Sequence, residues 1–303
     1  MENIAMIKSI KKSLNTFFYN IVMSENLKKA INPLIYKMSR PVLLKNEKYR
    51  DIHKGESCYI FGNGSSIKYF DLEQFSDRIS IGCGLLFLHK DFEKINAQYY
   101  YTGHPFFYYP IWINPYSLEF EKNTLGPIYK SNIYNNRDVH FFASLTNYFG
   151  LNGDNVNFVY HFNEPFNQRN GWDLSSKFSF SEGSLTSMIA MAMYMGFEDI
   201  TLVGCDYTTS PKLWGHFYEY GKRPSRENEI IYAKDAINAA SRISKIQSIV
   251  IDKQFKGDIV DVIDYKDHTN MDIEYKENHE ILDHSVLTKL SNTNMGYNIF
   301  PEK

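Results

Sequence analysis

The second half of the chain alternates between two hydrophobic patterns, and this alternation limits the possible folds most strongly. Apolar runs of strand length at Val156–His161, Asp199–Gly204 and Gln247–Ile251 are separated by helical patterns at Ser184–Met195 and Asn228–Lys245. This order is typical of parallel βαβ units, in which crossover helices cover both faces of the sheet. We therefore predict an α/β, Rossmann-like fold with a mostly parallel sheet and helices on both faces.

Four more apolar runs of strand length lie in the first half, at Ser57–Phe61, Arg78–Cys83, Ala97–Thr102 and Val139–Phe142. Between the last two, residues 106–137 are rich in Tyr, Pro and Asn without a clear period, which predicts a loop or lid-like insert. The chain then divides into a basic helical segment at 1–50, which Pro33 and Pro41 are expected to break, a main domain at 51–257 and a C-terminal extension at 258–303. The extension is polar and irregular, apart from one predicted helix at Glu280–Leu290.

The N-terminal segment differs from the rest of the chain in charge. Residues 1–50 hold ten Lys and Arg against three Glu, although the whole chain has a net charge of -2. Within it, apolar residues recur at helical spacing: Ile4, Ile7, Ile10, Leu14, Phe17, Phe18 and Ile21. Such a basic amphipathic helix can lie on anionic lipid, or it can pack on the protein's own body or on a second subunit. Nucleic-acid binding is not expected, because the remaining chain is acidic.

The N-terminal segment and the cysteines together indicate the cellular location of the protein. Lysines interrupt its apolar residues, so we expect neither a cleaved signal peptide nor a membrane-spanning anchor. Cys58, Cys83 and Cys205 are odd in number and lie in or beside apolar runs, as buried free thiols of a reducing compartment do. A cytoplasmic protein, peripheral to the inner face of a membrane, is the expected result.

A glycine-rich loop follows the first predicted strand directly. It reads Gly62-Asn63-Gly64-Ser65-Ser66. Glycines let main-chain N–H groups approach a phosphate, and ligands of open α/β sheets bind beyond the carboxyl ends of strands. The loop is neither G-x-G-x-x-G nor a P-loop, which disfavours NAD and P-loop ATP chemistry. We predict a phosphate contact, with a plain tight turn as the alternative.

A second candidate is the start of the helix at Ser184–Met195. Ser181, Glu182, Gly183 and Ser184 precede or open it. Serines can cap the helix, a glycine lets a ligand come close, and the unsatisfied N–H groups of the first turn attract anions. These residues are predicted to bind the nucleotide.

A third candidate is a carboxylate and histidine pair. Asp206 and Tyr207 end a predicted strand, and His216 lies on the loop that follows. An aspartate at a strand end commonly orients a histidine that acts as general base, although a histidine on a surface loop is more often idle. We predict His216 as the base, Asp206 as its orienting group and Tyr207 as a further catalytic residue.

No metal site or cofactor is expected. His89, His104, His140 and His161 lie on separate predicted elements, and no Cys/His pair has the spacing of a zinc site. Asp258, Asp261 and Asp264 are three residues apart on a late segment and are interpreted as a solvated edge.

The order of these motifs resembles two related bacterial groups. The glycine-rich loop, Tyr69-Phe70-Asp71-Leu72, the helix ending at Met195-Gly196-Phe197, and Gly-x-Asp-Tyr with a histidine loop are similar to family 42 sialyltransferases. They are similar also to the family of motility accessory glycosyltransferases, which modify flagellin, and of archaeal 6-hydroxymethylpterin pyrophosphokinase-like proteins. The resemblance spans roughly Cys58–Ile251 and implies a variant nucleotide-sugar glycosyltransferase fold.

The resemblance implies roles for individual residues. The family's Gly-Asn-Gly-Pro-Ser loop holds the donor phosphate, and here Ser65 replaces its proline. Residues 181–183 fall where the sialyltransferases have Thr-Ser-Gly against the nucleoside, so Glu182 could take ribose hydroxyls. His216 matches the proposed base of the family. Gly84 and His104-Pro105 stand where the family has Asn and Asn-Pro in contact with the nucleotide, which departs from the pattern for CMP-sialic acid itself.

The implied function is inverting, metal-independent glycosyl transfer. The donor would be a nucleotide sugar, such as a CMP-linked nonulosonate or Kdo, and the acceptor a glycan or glycolipid of the bacterial surface. The donor is a substrate, so no cofactor is implied, and a homo-oligomer is left open. Diphosphate transfer from ATP with Mg²⁺, with Asp206 as a metal ligand, is one alternative, and a non-catalytic nucleotide-binding assembly subunit is another.

Overall fold

A computed structural model describes residues 25–105, 107–108, 119–161, 171–180, 183–213, 215–220 and 234–292. The strands are β1 (Ser57–Phe61), β2 (Ile79–Cys83), β3 (Ala97–Thr102), β4 (His140–Ser144), β5 (Val156–His161), β6 (Lys177–Phe178), β7 (Asp199–Val203), β8 (Thr209–Ser210), β9 (Lys245–Val250), β10 (Lys256–Gly257) and β11 (Asp261–Asp264). The helices are α1 (Glu25–Leu43), α2 (Glu119–Asn135), α3 (Ser184–Met195), α4 (Lys234–Ala240), α5 (Tyr265–Thr269), α6 (Asn278–Ile281) and α7 (His284–Ser291). All seven predicted strands are present.

Nine of these strands form one sheet in the order β11-β9-β7-β1-β2-β3-β4-β5-β6, while β8 and β10 form a separate antiparallel pair. Every neighbouring pair in the large sheet is parallel. The chain adds strands on one side of β1 as far as β6, and then returns to place β7 on its other side. The strand order therefore reverses between β1 and β7, which is the topological switch point where open α/β sheets bind ligands.

Both faces of the sheet are covered by helices, so the predicted Rossmann-like α/β fold is confirmed. On β1, Tyr59 and Phe61 point into one apolar core, while Cys58 and Ile60 point into the other. Buried residues of α2, α5, α6 and α7 line the first core, and those of α3 and α4 line the second. Burial on both faces explains why the strands are apolar almost throughout.

Helix α3 is the most buried helix of the second core and has the predicted bounds. Its side chains are apolar nearly all round, and ten of its twelve residues are buried. It ends at Gly196, which adopts a left-handed conformation with φ of 90° and closes the last turn. Because α3 leads back into a parallel strand, it runs against the strand direction, and its amino end lies at the carboxyl edge of the sheet.

The predicted lid over 106–137 is partly wrong. Residues 119–135 form α2, and Leu125, Tyr129 and Ile133 bury one stripe of it in the first core. Pro127 lies inside this helix and hid its period in the sequence. Packing of that stripe outweighs the poor helix propensity of the segment.

The interpretation of Pro33 and Pro41 as helix breakers is also wrong, because both lie within α1. This helix is fastened to the body: the Tyr160 hydroxyl donates to the Asn32 carbonyl at 3.1 Å, and Arg40 Nη1 donates to the Ser175 carbonyl at 2.9 Å. The predicted amphipathic helix at Ile4–Ile21 lies outside the described residues. Among the helices that the structure describes, none combines the length and the apolar character needed to cross a bilayer.

The sheet extends beyond residue 257, because β11 pairs with β9 at its outer edge. Asp261 opens this strand and is exposed, whereas the Asp264 carboxylate accepts from the Lys266 N–H and starts α5. The helix predicted at Glu280–Leu290 is divided into α6 and α7 around Leu282-Asp283. Of the helix predicted at Asn228–Lys245, the structure describes residues 234–245: Lys234–Ala240 form α4, residues 241–244 form a turn, and Lys245 begins β9.

Candidate functional site

The candidate site lies at the switch point, where two loops pack against each other beyond the carboxyl ends of β1 and β7. The loop at 62–66 follows β1, and the turn at 204–207 follows β7. The Gly64 N–H donates to the Gly204 carbonyl at 2.8 Å. A Cβ on Gly64 would lie 2.4 Å from Asp206 Oδ2, so only glycine fits there.

Gly62 is constrained in the same way. Its N–H donates to the Val203 carbonyl at 2.8 Å, and a Cβ would lie 2.3 Å from the Gly204 carbonyl oxygen. The glycines of the first loop thus permit the close approach of two backbones at the switch point. This requirement accounts for them whether or not a phosphate binds.

Asp206 is buried beneath the glycine-rich loop. Its carboxylate accepts from the Ser66 N–H at 2.8 Å, from the Ser66 hydroxyl in a short hydrogen bond, and from the Ser65 hydroxyl at 3.5 Å. Burial raises its pKa to about 6, although these hydrogen bonds and the charge of His216 oppose the shift. Both serine hydroxyls therefore donate to Asp206, where the sequence predicted that they would face a nucleotide.

His216 is oriented by Glu219. The ring Nδ1 lies 2.8 Å from Glu219 Oε2, and the backbone N–H of His216 donates to the same oxygen at 2.8 Å. The ring also stacks on Tyr218, with 4.8 Å between centroids and 5° between planes. A carboxylate only accepts hydrogen bonds, so Nδ1 carries the proton and Nε2 of the neutral ring is the nitrogen that can take another.

The role predicted for Asp206, to orient His216, belongs in the structure to Glu219. The His216 side chain is 39% exposed, whereas that of Glu219 is 1% exposed. A buried carboxylate that holds a half-exposed imidazole is the arrangement of a general base and its orienting group. The spacing His-x-x-Glu was the available signal in the sequence.

The His216 loop is joined directly to the glycine-rich loop. Gly64 and His216 form an antiparallel backbone bridge, and the Phe217 N–H donates to the Asn63 carbonyl at 3.0 Å. The histidine therefore lies beside the loop that is predicted to hold a phosphate, although His216 comes 152 positions after Gly64 in the sequence. The glycine-rich loop and the His216 loop, which are two of the three predicted features, thus meet at the switch point.

The Asn63 side chain is directed into the protein. Its Nδ2 donates to the Cys83 carbonyl at 3.0 Å, and its Oδ1 accepts from the Leu85 N–H at 2.9 Å. Gly84 lies between these partners with φ of 59°, and a Cβ there would lie 2.4 Å from Asn63 Nδ2. The amide thus fastens the loop after β1 to the loop after β2, so any contribution to ligand binding comes through loop shape.

The start of α3 reaches the same edge of the sheet. Burial raises the pKa of the Cys83 thiol to about 12, and the side chain of Ser184 opposes this shift. Gly183 has φ of 98°, and among the described residues no atom lies within 4 Å of where its Cβ would be. The first turn of α3 is accordingly open at Gly183. Ser181 and Glu182 lie outside the described residues.

Two other predicted residues lie on the same edge without joining His216. His104 follows β3, which β2 separates from β1, and its carbonyl accepts from Asn147 Nδ2 at 2.8 Å. Its ring packs on Phe107, with centroids 5.2 Å apart. Tyr207 follows Asp206 and is 50% exposed, so it is accessible at this edge of the sheet.

A buried lysine behind the site was not predicted. Lys68 is 2% exposed, and its ammonium donates to the Glu219 carbonyl in a short hydrogen bond. Burial lowers its pKa, while the carboxylates of Glu277 and Glu219 oppose that shift. Lys68 therefore holds the backbone of the residue that orients His216.

The C-terminal extension supports the same loop. The Lys276 N–H donates to the Lys68 carbonyl at 2.8 Å, and Asn278 Nδ2 donates to the Tyr218 carbonyl at 3.2 Å. Residues 274–278, which we name the C-terminal strap, thus contact both the turn that carries Lys68 and the His216 loop. Nothing in their local sequence pattern signalled this contact, because it joins distant segments.

No group of three or more His, Cys, Asp or Glu side chains in the described ranges is arranged to hold a metal ion. Comparisons with models of protein families, with curated proteins and with solved structures found no match to this chain.

Proposed function

We propose that the protein transfers a glycosyl group from a nucleotide sugar, with inversion and without a metal ion. The observation that carries the proposal is the His216–Glu219 pair, held beside the glycine-rich loop at the switch point of the sheet. The His216 ring can accept a proton, and the first turn of α3, which reaches the same edge of the sheet, can present N–H groups to a phosphate. A nucleotide-sugar glycosyltransferase needs both within reach of one anomeric carbon.

The reaction can be written with these residues in place. The acceptor hydroxyl gives its proton to Nε2 of His216, and its oxygen forms a bond to the anomeric carbon. The bond from that carbon to the phosphate oxygen breaks, and the nucleotide leaves with the electron pair. N–H groups of the first turn of α3 neutralise the developing charge on the phosphate. A single displacement of this kind inverts the anomeric configuration.

Substrate identity follows from the motif resemblance alone and is proposed on that basis. The donor is a CMP-linked acidic sugar such as a nonulosonate or Kdo, and the acceptor is a glycan or glycolipid of the bacterial surface. Gly84 and His104 replace residues that contact the nucleotide in the sialyltransferases. The donor therefore need not be CMP-sialic acid itself.

The arrangement around Asp206 bears on the alternative of ATP-dependent diphosphate transfer. A Mg²⁺ ligand must offer carboxylate oxygens to the ion. Asp206 accepts three hydrogen bonds from Ser65 and Ser66 and lies under Gly64. These contacts favour a structural carboxyl over a metal ligand.

Ligand-dependent thermal stability is the first test, because a ligand that binds only the folded state raises the apparent melting temperature. We expect CMP to raise it more than UDP, GDP or ATP. Donor turnover by the wild type should then survive a chelator and fail in His216→Ala. Stabilisation by ATP with chelator-sensitive transfer would replace the proposal with diphosphate transfer, and nucleotide binding without any turnover would indicate an assembly subunit.

A further inference from the structure

Helix α1 carries an exposed apolar face on the side turned away from the protein. Leu34, Ile35 and Met38 are 59%, 43% and 72% exposed, and Leu44 just after the helix is 37% exposed. The opposite side of α1 packs on the body and ends in the fully buried Leu43. We name these four exposed residues the α1 face. Neighbouring exposed aliphatic side chains of this size usually mark a contact surface.

Basic residues surround the α1 face. Lys37, Lys45 and Lys48 are exposed, and Glu47 is the only acidic residue between positions 26 and 50. An apolar stripe bordered by lysines fits the boundary of an anionic bilayer, where the stripe enters the acyl region and the ammonium groups meet the headgroups. A two-fold contact between copies would place the same lysines opposite one another, which opposes self-association through this face.

The direction of α1 relates this face to the candidate site. Asn32 is bound by Tyr160 near the carboxyl end of β5, whereas Asn46 Nδ2 donates to the Phe158 carbonyl, two residues earlier on that strand. The amino end of α1 therefore lies at the carboxyl edge of the sheet, which also carries the His216 loop. Residues 1–24, which precede this end of α1 in the sequence, hold three more lysines.

We propose that the α1 face docks on an anionic membrane surface and brings the carboxyl edge of the sheet near a lipid-borne acceptor. The docking is independent of the enzymatic proposal, while the presentation of an acceptor rests on it. The required ligand is a bilayer with anionic headgroups, and no particular headgroup is implied.

Vesicle sedimentation of the full chain tests the docking. We expect binding to phosphatidylcholine vesicles that contain phosphatidylglycerol, weak binding to pure phosphatidylcholine, and loss of binding at high salt. Met38→Glu should weaken binding about tenfold or more, because it removes an inserted apolar side chain and adds a charge of the wrong sign. Ile243→Glu is the matched control, since Ile243 is 62% exposed outside the α1 face and its change should leave binding unaltered.

Both substituted side chains are exposed, so thermal unfolding should confirm that each variant folds. Equal effects of Met38→Glu and Ile243→Glu, or an unchanged affinity of Met38→Glu, would overturn the proposal. A wild-type dimer that Met38→Glu converts to a monomer would overturn it in favour of a second copy. Reduced transfer to a lipid-linked acceptor, with unchanged transfer to a soluble one, would support the orientation separately from the docking.

Discussion

The Asp206 turn and the His216 loop lie against the same glycine-rich loop, yet their ionisable side chains differ in burial and in hydrogen-bond partners. The Asp206 carboxyl is buried and takes its hydrogen bonds from Ser65 and Ser66. The His216 ring is half-exposed and is held on one side by the buried Glu219. The first arrangement fixes the shape of a loop, and the second presents a nitrogen to whatever binds there. Burial and hydrogen-bond partners, and not the residue type, separate the group that we interpret as structural from the group that we propose as the base.

Removal of His216 should have the largest effect. We expect His216→Ala to lower turnover about 10²–10⁴-fold, the usual contribution of a general base, while nucleotide affinity changes little. Steady-state kinetics and calorimetric titration with the nucleotide named by the stability screen measure the two effects. Glu219→Gln is the graded control: its amide oxygen can still accept from Nδ1, so the loss should be smaller. A His216→Ala variant with most of its rate would assign the base to another group, such as His104.

The substitution Asp206→Asn should change how the free energy of unfolding depends on pH. Burial raises the pKa of Asp206 from 3.8 to about 6, so the folded protein holds this proton more tightly than the unfolded chain does. The free energy of unfolding of the wild type therefore falls as pH rises from 3.8 to about 6, and it stays at this lower level at higher pH because the buried carboxylate remains charged. Each pKa unit is worth about 1.4 kcal/mol, so the variant should gain about 3 kcal/mol relative to the wild type over that rise.

Urea unfolding of both proteins near pH 4 and near pH 7 measures this gain. The readout is how much the difference in unfolding free energy between variant and wild type changes from one pH to the other. Hydrogen bonds that the amide fails to replace lower both values alike. A difference between variant and wild type that stays constant with pH would show that Asp206 is charged at little cost, and the contrast with His216 would then weaken.

Lys68→Met tests the support behind the His216 loop. The change removes the donor to the Glu219 carbonyl and should lower the free energy of unfolding by about 2 kcal/mol, because a hydrogen bond from a charged group is lost. Lys90→Met is the matched control: Lys90 is exposed and donates to the Glu280 carbonyl at 2.8 Å, so its loss should cost little. Chemical denaturation compares the two. Equal losses of unfolding free energy in the two variants would show that the buried hydrogen bond of Lys68 stabilises the protein no more than the exposed one of Lys90.

Asn63→Ala should have the smallest effect. It leaves the Leu85 N–H without its acceptor, whereas the Cys83 carbonyl keeps the Tyr100 hydroxyl as a partner. We expect a loss of about 1–2 kcal/mol in stability, with weaker nucleotide binding as the loop shifts. Asn147→Ala is the control, because Asn147 fastens another loop at the same edge through the His104 carbonyl. If nucleotide affinity fell for Asn147→Ala but not for Asn63→Ala, the nucleotide would bind near the loop after β3 and not near the loop after β1.

Several features were predictable because they depend on neighbouring residues. The strands, the bounds of α3 and the fold class followed from hydrophobic periodicity, which reports burial on one or two faces of an element. The glycine-rich loop was visible because closely spaced glycines directly after a strand indicate a sharp turn or a close approach of two backbones. Helix α2 escaped prediction because Pro127 interrupts its pattern while Leu125, Tyr129 and Ile133 still pack in the core.

The sequence by itself determined that a parallel sheet forms, that glycines follow its first strand and that a histidine follows the strand ending before Asp206. Only the tertiary structure decided that β7 lies beside β1, which brings His216 to Gly64, and that Glu219 holds the histidine while Asp206 holds Ser65 and Ser66. The reason is physical. Periodicity encodes which side of an element is buried, whereas the partner of a polar side chain depends on which distant backbone reaches it when the sheet closes.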